Sequence, residues 1–160
     1  MTQNNNIMHK YLPSLRGAIC LAFICAFTSC ATAPQQKQQT DDKRVCAQNF
    51  TFDGSFLAGR TFRTHQTIPN VSKSIAVERA AKYLVANGWS ISSTDKDLGI
   101  VSASQTVSYG AGKTAPLSVG VDEVESGVEI SISFSISGGV SSPVDAVKEE
   151  FCAIMLAIGK

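Results

Sequence analysis

Between Val128 and Ile136 every second residue is large and apolar, with Glu129, Ser131, Ser133 and Ser135 filling the positions between. Successive side chains of a strand point to opposite faces, so this stretch predicts a strand with one buried face and one wet face. Antiparallel sheets carry such strands, whereas parallel ones are covered on both sides. Leu117, Val119 and Val121 alternate in the same way, and Glu125-Ser126-Gly127 supplies a turn between the two runs. Upstream, Trp89 and Ile91 alternate with Ser90 and Ser92. Asp95 to Gly99 reads as a turn, and Ile100, Val101 and Ala103 begin the returning strand. Gly59 to Ile68 is a further strand candidate that Pro69 and Asn70 end. Cys46 to Leu57 stays open between a short strand and an ordered arm, with Phe50, Phe52 and Phe56 in one parity.

Two segments carry the helical period instead. From Ser72 or Ser74 to about Asn87, the residues Val77, Ala80, Ala81, Leu84 and Val85 recur at i, i+3, i+4, i+7 and i+8, and Asn87-Gly88 is a stop. Ser142, Pro143 and Asp145 open a second helix, whose apolar face is Val144, Val147, Phe151, Ile154, Met155 and Ile158. The order strand, helix, antiparallel strands, helix predicts an α+β domain over residues 45–160. The expected form is a two-layer sandwich, with an antiparallel sheet of about four to five strands and two helices packed on one face.

The N-terminal part follows other rules. Gly17 to Phe27 is apolar and uncharged, and His9, Lys10 and Arg16 precede it. A permanent membrane helix needs about 20 such residues, so the run has the length of a cleaved export signal. Phe27-Thr28-Ser29-Cys30 then puts small residues before a cysteine, as a bacterial lipobox does, although leucine is the usual residue where Phe27 stands. The expectation is that 1–29 is a lipoprotein signal peptide and that lipidated Cys30 becomes the first residue. Cleavage after Ala31 or Ala33, or retention as an anchor, are the alternatives. Several acyl chains on one cysteine give stable attachment, each buried methylene contributing about 0.8 kcal/mol. In Gram-negative lipoproteins aspartate after the lipidated cysteine favours the inner membrane, and Ala31 points instead to the outer membrane, facing the periplasm. Residues 30–44, rich in glutamine and without a large apolar side chain, read as a flexible tether.

Of 14 lysines and arginines and 13 acids, the first 29 residues hold Lys10 and Arg16 and no acid. The remainder is therefore near neutral, which lacks the electrostatic footprint of nucleic-acid binding. Of five cysteines, Cys20 and Cys25 lie in the signal and Cys30 is the lipid site, leaving Cys46 and Cys152. In an exported protein two such thiols pair more often than not, stabilising by roughly 4 kcal/mol for so long a loop. The alternative is a buried free Cys152 and an exposed Cys46.

The run AAKYLVANGWSISSTDKDLGIVSA, followed by the strands and the last helix, resembles a pattern of small envelope lipoproteins. Over roughly residues 60–158 the chain is similar to the helix-grip domains of the C-subunit lipoproteins of the outer-membrane β-barrel assembly machinery. The resemblance implies a fold rather than an activity, and it assigns no binding residue.

Signals for chemistry are sparse. Gly110-Ala111-Gly112-Lys113-Thr114 suggests a phosphate loop, but Val107 stands where the first glycine belongs and Pro116 follows where a helix should start, so no nucleotide is expected. His65, the one histidine after the signal, would need a hydroxyl or thiol beside it and an acid to orient it. Asp122, Glu123, Glu125 and Glu129 gather at one hairpin, without the spacing of a calcium loop. No enzyme, cofactor or metal site is expected. The function read from these residues is a lipid-anchored, non-catalytic interaction or scaffold domain for another envelope protein, using a sheet edge, the Ser108–Ala115 loop or the outer helix faces. The alternative is a carrier that holds a small apolar or amphipathic ligand in a groove between helices and sheet. Trp89 and Tyr109 are the candidate contacts in either case, and Phe134 is a further candidate lining residue for the groove.

Overall fold

In the computed structural model, residues 36–37, 41–107 and 112–160 are described. Their elements run β1 (Gln36–Lys37), α1 (Val45–Gln48), β2 (Thr51–Ser55), β3 (Gly59–Pro69), α2 (Lys73–Ala86), β4 (Ser90–Asp95), β5 (Ile100–Thr106), β6 (Thr114–Val124), β7 (Gly127–Ile136) and α3 (Val144–Gly159). The strands form one antiparallel sheet in the order β1-β2-β3-β7-β6-β5-β4. The α+β class expected from the sequence is what forms. The count of four to five strands falls short: six strands of five or more residues pair here, with two-residue β1 added at one edge. Among the described residues there are three helices rather than two, because α1, a single turn, is too short to show a period, and the expected two-layer sandwich is not clearly formed.

The alternation in β7 has the predicted consequence. Val128, Ile130, Ile132 and Ile136 are buried, and the same face continues across the sheet: Ile68 stands opposite Val128, Thr64 opposite Ile132 and Phe62 opposite Phe134 on β3, and Val121 and Val119 stand opposite Ile130 and Ile132 on β6. Leu117 stands opposite Phe134, and Val101 and Ala103 extend the face onto β5. The other face carries Ser102, Ser118, Ser131, Ser133 and Ser135 with Thr61, Arg63 and His65. Thr64, a buried hydroxyl on the apolar face, donates to the Cys46 carbonyl at 2.6 Å, so α1 is pinned to the sheet and the hydroxyl is satisfied.

Helix α2 lies against β4 to β7 and α3, and α3 reaches β3 and α1. The buried stripe of α2 is Ala76, Val77, Ala80 and Leu84; Val85, expected inward, is exposed, and Ala76 takes a place in its stead. Two alanines let the helix approach the sheet closely. Arg79 donates from Nη1 to the Ile158 carbonyl at 2.8 Å, placing a cation at the C-terminal end of α3, where the helix dipole favours it. Cys46 on α1 and Cys152 on α3 are disulfide-bonded, their Cα atoms 5.4 Å apart. The bridge closes the two ends of the domain, and both cysteines are buried in the core.

Part of the stretch read as a tether is tied down. Gln36–Lys37 pairs with Thr51–Phe52 along the edge of the sheet, and Arg44 joins Asp42 to Glu149 of α3. To that extent Gln36–Lys37 and residues 42–44 are joined to the domain. The remainder of that stretch, Cys30 and the apolar run lie outside the described residues. Among the described residues no helix is long and apolar enough to cross a membrane.

Candidate functional site

The end of α2 sets the site. Gly88 takes φ +82°, its N–H donates to the Val85 carbonyl, and the Trp89 N–H donates back to the Leu84 carbonyl at 3.0 Å. This is the Schellman closure, in which a left-handed glycine turns the chain so that the next residue packs onto the last helical turn. The Asn-Gly-Trp sequence therefore fixes where the indole goes. It is swung under the start of α3, where it meets Phe134 edge-on with ring centroids 5.8 Å apart.

Phe134 continues an aromatic series through the molecule: Phe62 stacks on it at 6.1 Å, Phe50 lies 6.1 Å from Phe62, and Phe151 of α3 lies 5.8 Å from Phe50. Unlike its apolar neighbours on β7, Phe134 is only half-buried. The core opens there into a cleft of about 290 Å³ between the sheet and α3, lined by Trp89, Phe134, Phe151, Leu117 and Val147, with Asn87, Gln105, Ser142 and Glu150 as its polar groups. A second depression of about 310 Å³ shares Gln105, Phe134 and Ser142 with it and extends toward Val140.

Glu150 gives the cleft its charge. Its Oε1 accepts from Trp89 Nε1–H at 3.3 Å and its Oε2 from the Tyr83 hydroxyl at 3.4 Å. Burial, and then the adjacent Glu150 carboxylate, hold the Tyr83 phenol above the ordinary tyrosine value, so it stays a donor at neutral pH. The sequence singled out Trp89 and Phe134, and both are here. Tyr109 lies outside the described residues. Glu150 was missed, although it left a signal: it interrupts the apolar recurrence Val147, Phe151, Ile154 at a position that must face the same side.

A larger depression, about 600 Å³, lies on the polar face and is lined by Asn49, Thr51, Arg63, His65, Ser118, Ser131 and Ser133 among others. Arg63 is already paired with Asp53. His65 is exposed and stands opposite Ser131 in the register, yet among the described residues no hydrogen bond links the two side chains and no acid orients the imidazole. Asp122 and Glu129 face each other across the β6–β7 hairpin as like charges, and among the described residues no three His, Cys, Asp or Glu converge as metal ligands. The described part of the glycine-lysine loop, Gly112 to Thr114, leads into β6 rather than a helix. The Trp89 cleft, with aromatic walls and one convergent carboxylate, is the better-built site. No protein-family model and no curated protein matches the chain.

Proposed function

We propose that this chain is a bacterial envelope lipoprotein, held through Cys30 in the outer membrane and facing the periplasm, whose α+β domain is a non-catalytic interaction module. The observation that carries the reading is the Trp89 cleft. Aromatic side chains give large contact areas at low entropy cost and anchor protein interfaces, and here they wall a recess with a single carboxylate. The Cys46–Cys152 bridge supports export, since such bonds persist in oxidising compartments and are rare in the cytosol. A photoreactive residue at Gln105, on the cleft rim, is expected to crosslink to another envelope protein in intact cells. The same residue at Glu125, on the remote hairpin, is expected not to, and Trp89→Ala should abolish the Gln105 product. Equal crosslinking from both positions sinks the reading.

The carrier alternative has one observation in its favour: Trp89 and Phe134 do lie in a groove between helix and sheet. The volume counts against it. At about 290 Å³ the cleft is at the lower edge of the range of about 300–1,000 Å³ for small-molecule sites, with room for a side chain rather than an acyl chain. Stoichiometric release of an apolar compound on solvent extraction of the purified protein would reverse this preference.

A further inference from the structure

We infer that the cleft receives a cationic side chain, lysine or arginine, from a protein partner, with Glu150 as the counter-charge. The inference rests on the interaction reading above and adds the chemistry of the contact.

Three carboxylates among the described residues are half-buried: Asp42, Asp53 and Glu150. Asp42 pairs with Arg44 and Asp53 with Arg63. Among the described residues Glu150 has no Lys or Arg within ion-pair distance, and it is held by the two neutral donors Trp89 and Tyr83. An ionised carboxylate offers about four lone-pair positions. Two are taken, which leaves about two for an ammonium or a guanidinium. The surrounding walls suit the rest of such a side chain. Trp89 and Phe134 line the cleft with aromatic surface, and Leu117 and Val147 offer apolar surface to a methylene stem. An anion would instead be repelled by Glu150, and a purely apolar group would desolvate it without a new partner.

Trp89 is the only tryptophan in the chain, so its fluorescence reports on this cleft alone. N-acetyl-arginine amide and N-acetyl-lysine amide are expected to change that emission saturably, and N-acetyl-norleucine amide, which keeps the methylene stem without the charge, is not. Glu150→Gln should weaken the cationic probes by roughly tenfold or more, while Glu125→Gln, which removes the same charge far away, should leave them unchanged. If norleucine amide binds as well as the cations, or if Glu125→Gln acts like Glu150→Gln, the counter-charge role is overturned. Crosslinking from Gln105 would then still stand as evidence of an interface. If only phosphatidylethanolamine vesicles move the emission, the occupant is a lipid headgroup and the inference is wrong. The comparison among probes on the unaltered protein decides the matter even if Glu150→Gln fails to fold.

Discussion

Gly88 and Gly99 both adopt left-handed backbone, at φ +82° and +73°, but they are different places for a side chain. A Cβ at Gly88 meets nothing within 4 Å, whereas one at Gly99 runs into the Val121 carbonyl oxygen. Gly88→Ala should therefore cost only the left-handed penalty, about 1 kcal/mol. Gly99→Ala must also move β6 and should cost about 2–4 kcal/mol. Urea midpoints of the two variants measure the difference, and the order Gly99 worse than Gly88 is the expected result. At Asp42 the prediction is one of pH. The hydrogen bonds from Arg44 hold this carboxyl down to about 2, below the ordinary 3.8. A depressed folded-state value means that the contribution is present above the unfolded value and is lost as pH falls through the folded one. The carboxyl resonance of Asp42 should titrate near 2, and Arg44→Ala should return it toward 3.8.

Among the elements, the bridge between α1 and α3 joins residues separated by 106 positions. Replacing both Cys46 and Cys152 with alanine is expected to destabilise by about 4 kcal/mol, less if the reduced chain stays compact. Reductant should reproduce the loss in the unaltered protein and leave the double variant unaffected, as thermal melts would record. What the residues disclose about these elements depends on how each one is stabilised. β7 was legible because one of its faces is buried along its length, and α2 because its small residues recur. One position of the α2 stripe was misjudged: Val85 is exposed and Ala76 buried, while Val77, Ala80 and Leu84 face inward as expected. β2 was not resolved. Asp53 and Gly54 break its alternation, and what forms it is hairpin pairing with β3 and the Asp53–Arg63 ion pair, neither of which an apolar pattern displays. The cleft was half-legible for the same reason. Trp89 announces itself after Asn-Gly, whereas Glu150 gains meaning only when α3 is laid beside the end of α2.

For the whole molecule, the proposed attachment makes a direct prediction. The mature protein should begin at Cys30 with a mass increased by acyl chains and should partition into detergent, while Cys30→Ser should leave it in the aqueous phase; intact-mass measurement and phase separation check both. The pairing of Gln36–Lys37 with β2 then has a geometrical consequence. Six residues span at most about 20 Å when fully stretched. A lipid on Cys30 would thus moor the β1–β2 margin of the sheet just above the headgroups. The protein would hover in a shallow layer over the bilayer, and any partner would have to come down into that layer to meet it.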